Sequence, residues 1–198
     1  MGSGNYRDPF AGRRPEYVVR AGEKLSLSFV VLPGESRDID IAVDLVGEGA
    51  EVDLKGLYLC TGDEQVNFRI LVHHRVPGCL SHQLFNGLAG GTSRVRFEGR
   101  IVVAPDAQQT EAYQENHNIL LSDSAHVETT PQLEIYADGV KCSHGATIGR
   151  LDEDAQFYMR TRGIPEKESR VLQMISFLSP VTPEEERERV ESALADSV

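Results

Sequence analysis

The sequence predicts a mainly β fold followed by a short helical segment. Apolar and polar residues alternate through most of residues 18–149, which is the pattern of strands with one buried face. Short runs rich in Gly and Pro separate the alternating segments, as expected for turns. After Gly149 the alternation stops and helical signals begin. We therefore divide the chain into a flexible lead-in at 1–17, a β part at 18–149 and a helical part at 150–198.

The first strands are the clearest, and they are predicted at 24–31, 37–45, 51–59 and 66–72. The first of them reads KLSLSFVV and the second RDIDIAVDL, so apolar residues fall on one face and polar residues on the other. The intervening runs LPGES, VGEGAE and CTGDE each contain glycine. The strands are thus short and joined by sharp turns.

A weak internal repeat favours stacking of these strands. The segments GEGAEVDL, GGTSRVRF and SDSAHVET each place a valine after a small-residue corner, and these valines, Val52, Val95 and Val127, are 43 and 32 residues apart. The first interval would fit two coils of about 21 residues in a β-solenoid. A two-sheet sandwich produces the same alternation. Periodicity alone leaves both architectures open.

Three helices are predicted after the strands. The first, at 151–162, opens with acidic residues and closes with basic residues before Gly163, which suits the helix dipole and a glycine cap. The second, at 165–178, has Pro165 at its first position. The third is predicted to start at the capping box TPEE, which begins at Thr182.

The third helix, ending near Ala195, is the most polar of the three. Its main apolar residues are Val190 and Leu194. A helix with so small an apolar stripe is expected to fray or to await a partner. We also expect the strands up to Gly149 to fold without the helical segment.

Composition excludes several classes of function. A net charge of −11 argues against nucleic-acid binding, and the longest apolar stretch, 25–32, is too short to cross a membrane. The N-terminus lacks the apolar core of a secretory signal. Three widely spaced cysteines suit free thiols in a reducing compartment. We therefore expect a cytoplasmic protein.

Two residue clusters could carry chemistry, but neither forms a known motif. His73, His74, Cys79 and His82 lie within ten residues; their spacing fits no zinc motif, and His73 and His74 would point to opposite faces of a strand. The second cluster is a set of acids: Asp106, Glu111, Asp123 and Glu128. They could form carboxylate pairs of a β-helical carbohydrate-active enzyme, although solvated surface acids are more common. No resident metal site is predicted.

Cys142 and His144 are the most specific candidates, in the stretch KCSHGATIG. Residues two apart on a strand share a face, so thiol and imidazole would stand side by side. A neighbouring imidazolium favours the thiolate, and both groups can ligate iron or zinc. Two ligands make only half a site. A buried cysteine beside a hydrogen-bonded histidine remains the structural alternative.

From His74 onward the sequence resembles the SufB/SufD family of iron–sulfur cluster assembly proteins. The resemblance lies in HRVPGCLSHQLFNGLAGGTSRVRFEGRIVV, ETTPQLEIYADGVKCSHGATIG and FYMRTRGI, in that order. It implies a right-handed parallel β-helix followed by a small helical C-terminal segment. It also implies a SufD-like, non-enzymatic scaffold that binds a SufC-type ATPase through those helices and pairs with a SufB-like chain, or with itself, as a dimer.

The resemblance places Cys142 and His144 at the subunit interface, where a nascent cluster forms. It implies no tightly bound cofactor, only a transient iron–sulfur cluster shared with a partner. Family members are longer, so the chain is expected to be a fragment or a short variant. His117 stands where SufB has its sulfur-accepting cysteine, and Gly139, where Asp is common, is expected to loosen the turn before Cys142. The alternatives are a β-helical carbohydrate-active enzyme and a structural homodimer without the assembly role.

Overall fold

The computed structural model describes residues 16–197, which contain ten strands and three α-helices. Most of the predicted lead-in at 1–17 lies outside this range. The strands are β1 (Tyr17–Val19), β2 (Lys24–Val31), β3 (Arg37–Leu45), β4 (Glu51–Cys60), β5 (Gln65–His74), β6 (Leu80–Ala89), β7 (Arg94–Val103), β8 (Glu111–Leu120), β9 (His126–Ile135) and β10 (Lys141–Gly149). The helices are α1 (Glu153–Thr161), α2 (Glu166–Leu178) and α3 (Arg187–Asp196).

The strands form a parallel β-solenoid of about five turns. Odd-numbered strands make one sheet and even-numbered strands the other, and every paired neighbour is parallel. Each coil therefore contributes one strand to each sheet before the chain returns one level higher. A sandwich joined by short turns would have antiparallel neighbours. The parallel β-helix and the helices that follow it are thus confirmed.

The coils are longer than the repeat predicted. Tyr17 pairs with Val43 and Arg94 pairs with His126, so a turn advances by 26 residues at the first coil and by 32 at the last. Val95 pairs directly with Val127, as the repeat requires. Val52, however, lies in the other sheet, opposite Ser81. The 43-residue interval is one coil and a half, and coils of 21 residues were a wrong inference.

Aromatic rings fill the middle of the solenoid. The ring of Phe85 lies 5.3 Å from that of Phe68 and 5.0 Å from that of Phe97, between centroids. Gly87 leaves room for another ring, because a Cβ there would lie 1.8 Å from a ring carbon of Tyr58. The interior is therefore close-packed, with little tolerance for added atoms.

A buried carboxylate joins the corners of neighbouring coils. Glu64 is 5% exposed and accepts N–H groups from Gly34 at 2.9 Å and from Gly62 at 2.8 Å. Burial alone would raise the pKa of Glu64, but these backbone donors outweigh it and hold the pKa below its ordinary value. The corner is thus stabilised by charge-assisted hydrogen bonds.

The helices cover the outer face of the even-numbered sheet. Leu57, Leu59 and Leu88 point outward from that sheet, yet they are fully buried beneath the helical segment. Met174 and Leu178 of α2 pack in the same cluster. Removing the helices would expose these leucines, so their burial weighs against the expectation that the strands fold alone.

The third helix differs most from its prediction. Val190 and Leu194 are 2% and 0% exposed and pack against α2 and the sheet, so α3 is anchored on its own domain and the prediction of a frayed or unpartnered helix is wrong. The capping box is also absent, because the Thr182 hydroxyl donates to the carbonyl of Leu178 at 2.9 Å. A 3₁₀ turn at Glu184–Glu186 precedes α3.

The first helix, predicted at 151–162, spans Glu153–Thr161 and has acidic residues at its start and a glycine after its end, as predicted. The Asp152 carboxylate accepts the N–H of Ala155 at 3.0 Å, and Gly163 follows the helix with a φ of 88°, a conformation that glycine adopts without strain.

Between residues 16 and 197 no helix combines the length and the apolar character needed to cross a membrane.

Candidate functional site at the open end of the solenoid

The last coil of the solenoid leaves one end uncovered. Within the described residues, β9 pairs with β7 and β10 pairs with β8, and neither has a strand on its other side. Side chains that would be buried in an earlier coil therefore face solvent at this end. Ile135 and Ile148, whose register partners Val103 and Asn118 are buried, are accordingly 41% and 47% exposed. Together with Tyr136, which follows β9 and is 62% exposed, they form an apolar rim.

Cys142 and His144 point toward the solenoid interior at this end. Cys142 is in register with Ala112 and His144 with Gln114, and both of these β8 residues are fully buried inside the solenoid. The two candidates therefore share the inward face, as their spacing predicted. Because no further coil covers them, Cys142 is only partly buried and His144 is exposed.

The Cys142 thiol behaves as an apolar group in the isolated chain. It packs against a cluster that contains Ile101, Ala112 and Ala137. Burial raises the pKa of the thiol, and a backbone hydrogen bond involving Ala112 opposes the shift only in part. The thiol thus stays protonated at neutral pH, and His144 does not convert it into a thiolate here.

Polar side chains line the inner wall beneath His144. The amide of Gln114 donates from Nε2 to Oε1 of Gln83 at 3.1 Å, and both side chains are fully buried. Nearby, Asn118 Nδ2 donates to Asn116 Oδ1 at 2.8 Å. Sequence reasoning missed this wall. The signal was present, because three successive inward positions of β8, Gln114, Asn116 and Asn118, are polar, which is unusual for a buried face.

Two buried oxygens at this end have no partner within residues 16–197. They are Oε1 of Gln114 and the hydroxyl oxygen of Thr129 on the opposite sheet. Buried polar atoms are normally paired. Buried atoms without a partner also lie in the inner coils, among them Nδ1 of His74 and Nε2 of Gln83, so this feature does not distinguish the open end.

The histidine-rich cluster does not converge. His73 and His82 face outward, each beside an aspartate, whereas His74 points inward with its Nε2 2.8 Å from the hydroxyl of Ser81. Burial lowers the pKa of His74 to about 4, and His73 adds to the shift. Cys79 is buried. The opposite faces of His73 and His74 are as predicted, and across the described residues no three His, Cys, Asp or Glu side chains form a metal-binding group.

The acids that an enzyme would need are dispersed. Glu111 is bonded to Lys141 on the even-numbered sheet, whereas Glu128 is bonded to Arg96 on the odd-numbered sheet. Asp123 pairs with Arg150. These acids serve separate ion pairs on different faces and do not form a shared cleft, so the geometry gives the carbohydrate-active enzyme no support.

His117 and Gly139, the two positions that differ from the family pattern, each form hydrogen bonds within the chain. His117 faces outward from β8, with Nδ1 3.0 Å from the Thr147 hydroxyl and Nε2 3.2 Å from the Glu115 carboxylate. The N–H of Gly139 donates to Gln108 Oε1 at 2.8 Å, and its carbonyl accepts the N–H of Gln109 at 2.7 Å. Both bonds tie the turn to the preceding coil; the expected loosening relative to a turn with Asp at this position stays a prediction.

A second exposed surface lies on α1. Phe157 and Tyr158 are 62% and 59% exposed, and the guanidinium of Arg162 lies 5.3 Å from the Tyr158 ring centre. Gln156 is the buried residue of this helix. Two adjacent exposed aromatic residues on a helix are typical of a protein-binding surface.

Comparison with known proteins identifies relatives over most of the chain. Residues 16–177 match the family described as SUF system FeS cluster assembly, SufBD core domain. The chain is 37% identical over 141 residues to the iron–sulfur cluster assembly protein SufD of Escherichia coli (strain K12), which covers 71% of this chain and 33% of that protein.

Two further relatives extend the match. An iron–sulfur cluster assembly SufBD family protein of Mycobacterium bovis is 30% identical over 177 residues, or 83% of this chain and 45% of that protein. The SufD protein of Bacillus subtilis (strain 168) is 29% identical over 155 residues, or 78% of this chain and 36% of that protein. The chain thus spans less than half the length of these relatives.

Proposed function

The chain belongs to the SufB/SufD family of iron–sulfur cluster assembly proteins, and we propose that it acts as a SufD-like scaffold rather than as an enzyme. The observation that carries the proposal is the pair Cys142 and His144, which faces inward on β10, where no further strand of the described residues covers the coil. Their register partners in the coil below, Ala112 and Gln114, are fully buried. The pair is therefore accessible to a ligand at this end of the solenoid.

The iron–sulfur cluster is treated as cargo that the pair contacts transiently. A thiol and an imidazole are donors that suit iron. Within residues 16–197 no third donor joins them, so the remaining ligands are assigned to a second chain. His144 is the principal contact, because its ring is exposed and the Cys142 thiol is held protonated by burial.

The second chain is proposed to dock on the open end. Unpaired strand edges at β9 and β10 offer backbone hydrogen bonds to another strand, and the apolar rim of Ile135, Tyr136 and Ile148 offers area to bury. A SufB-like chain would fill this place in the cell, and a second copy would do so in isolation. Light scattering that shows a clean monomer at micromolar concentration would contradict the homodimer.

The ATPase is proposed to bind the helical segment at α1. The family resemblance implied binding through the C-terminal helices, but the main apolar residues of α3, Val190 and Leu194, are buried on their own domain. The exposed aromatic pair Phe157 and Tyr158 is the better anchor. We assign this surface to a SufC-type ATPase and place the assembly in the cytoplasm, where the three free cysteines would stay reduced.

Reconstitution with iron and sulfide tests the proposal. The chain is mixed with SufB-like and SufC-like partners, and cluster formation is followed by visible absorption and by iron content. His144→Ala should retain the fold and the pairing yet lower cluster formation several-fold. His82→Ala, which removes an outward histidine from β6, is the matched control and should leave it unchanged.

The outcomes separate the alternatives. Equal cluster yields from the wild type and His144→Ala would refute the assigned contact. A chain that pairs normally but supports no cluster with any partner would be a structural homodimer. If His144→Ala unfolds the protein, as circular dichroism would show, the imidazole is a structural group.

A further inference from the structure

We infer that the cleft between the corner after β8 and the helices α1 and α2 is a carboxylate-binding site, in which Arg170 pairs with an acidic side chain of a protein docked on α1. The inference rests on the proposed function in one respect, because the carboxylate is assigned to the ATPase that would cover Phe157. It adds the charge that this partner must carry and the residue that recognises it.

Three arginines from different elements line this arginine cleft, which has a volume of about 280 Å³. Arg150 follows β10, Arg160 belongs to α1 and Arg170 belongs to α2. Two acidic side chains, Glu153 and Glu166, line the same cleft. The lining groups therefore carry a net positive charge, in a chain whose own net charge is −11.

Arg170 is the arginine of this cleft that has no partner in the chain. Arg150 pairs with Asp123, and Arg160 pairs with Glu166 at 3.4 Å. Glu166 lies one helical turn before Arg170, at a spacing that allows an ion pair on a helix, but its carboxylate is bonded to Arg160. The guanidinium of Arg170 is thus left in the cleft without a counter-charge.

Burial distinguishes Arg170 from the other unpaired arginines. Between residues 16 and 197 the arginines without an ion pair are Arg20, Arg94, Arg162 and Arg170. The first three are exposed, whereas Arg170 is partly buried. Charges withdrawn from solvent are normally paired, so this is the arginine to which an external carboxylate would supply a missing partner.

The cleft has an apolar base and hydrogen-bonded walls. Leu121 and Leu151, which line it, pack against the hydrophobic cluster between the helices and the even-numbered sheet. Nε2 of Gln173 donates to the carbonyl of Asp152 at 2.9 Å, and this bond ties α2 to the start of α1. Apolar surroundings strengthen a charge interaction, and walls that are already fixed lower the entropy lost on binding.

A carboxylate of a docked protein is the ligand that fits these features. A guanidinium binds a carboxylate through two parallel N–H···O bonds. The cleft borders Phe157, which directly follows the cleft residue Gln156 on α1, so a protein that covers this exposed ring would bring its own side chains to the cleft. Glu153 and Glu166 would repel a phosphate group, which carries about two negative charges, more strongly than a carboxylate, which carries one.

The test is the affinity of the full chain for a purified SufC-type ATPase, measured by titration calorimetry at low and at high KCl concentration. Arg170→Gln should raise the Kd about tenfold at low salt, as expected for a lost charge-assisted hydrogen bond, and less at high salt. Arg170→Lys keeps the charge and should raise the Kd less. Arg94→Gln removes an unpaired arginine from the odd-numbered sheet; it is the matched control and should leave the Kd unchanged.

A variant with the opposite sign keeps the inference falsifiable even if Arg170→Gln fails to fold. Glu166→Gln removes a competing carboxylate from the cleft and should lower the Kd severalfold at low salt, a change that a merely structural role of Arg170 does not produce. An unchanged or raised Kd in Glu166→Gln would overturn the inference. So would sulfate binding to the chain alone that Arg170→Gln abolishes without changing ATPase affinity, because the cleft would then be a small-anion site.

Failure of the proposed function is seen separately. If Phe157→Ala weakens ATPase binding but the charge variants do not change it, the docking surface stands and the carboxylate contact is wrong. If Arg170→Gln weakens binding and Phe157→Ala does not, the carboxylate contact stands and the aromatic anchor is wrong. If the wild type shows no affinity for the ATPase, the assigned partner is wrong and the inference fails with it.

Discussion

Replacing Phe157 with alanine should weaken binding of a SufC-type ATPase about 100-fold. The phenylalanine is 62% exposed, and a fully buried aromatic side chain covers about 200 Å², so a partner could cover roughly 120 Å² of it. At about 25 cal/mol per Å² this is about 3 kcal/mol, which corresponds to roughly two orders of magnitude in Kd. Because the ring contributes little to its own domain, the free energy of unfolding should change by less than about 0.5 kcal/mol.

Tyr136 provides a matched control, because it is also 62% exposed but lies just after β9 at the open end. Tyr136→Ala should leave ATPase binding unchanged and instead weaken pairing of the chain with a second strand-bearing chain. Titration calorimetry against the ATPase measures the first effect, and sedimentation equilibrium measures the second. The two variants should therefore show opposite patterns in the two assays.

The assignment of two separate surfaces has a clear point of failure. If Phe157→Ala and Tyr136→Ala weaken ATPase binding equally, the ATPase does not distinguish the helical surface from the open end. If Phe157→Ala changes the Kd by less than about twofold while Tyr158→Ala does the same, the aromatic pair is not the anchor. Thermal unfolding of each variant ensures that neither result reflects loss of the fold.

Three further predictions concern stability. Glu64→Gln should lower the free energy of unfolding by about 2 kcal/mol near neutral pH. Because the folded-state pKa of Glu64 is lowered, the stability advantage of the wild type exists above the unfolded pKa of about 4.3 and is lost as the pH falls through the folded pKa. Urea unfolding at two pH values would show this. Leu194→Ala should cost about 2–5 kcal/mol, since the side chain is fully buried; a change below about 0.5 kcal/mol in urea unfolding would mean that α3 is frayed after all. Gly87→Ala should cost about 1–3 kcal/mol or more, because its Cβ would lie 1.8 Å from the Tyr58 ring; an unchanged melting temperature would contradict the packing.

Local features of this fold were predictable because they depend on neighbours in sequence. The strands predicted at 24–31 and 37–45 match β2 and β3 in full, since alternation reports one buried face whatever lies opposite. The length of a coil is not local. Val52 and Val95 follow similar corners but belong to different sheets, so the interval between them does not give the number of residues in a coil. Only the family resemblance selected the solenoid over the sandwich.

The site was predictable to the same extent. That Cys142 and His144 share a face followed from their spacing, but their exposure depends on which coil is the last, and the sequence pattern carries no such information. Gln114 was missed because an inward glutamine reads as an ordinary polar residue until its register with His144 is known. The burial of Leu194 was missed for a related reason: two apolar residues suffice when the surface they meet is already formed by α2 and the even-numbered sheet.

In a solenoid, inward-facing side chains are buried in the inner coils but partly exposed in a terminal coil, and Cys142 and His144 lie in a terminal coil. In every inner coil the inward face is covered on both sides, as at Gln83 and Gln114, which are fully buried. On β10 the same phase of the strand is covered on one side only. A metal site that includes His144 would therefore need further ligands from another molecule, since no metal-binding group forms within residues 16–197. Such a half-built site suits the proposed scaffold role, in which a second chain would close the end and supply the remaining ligands.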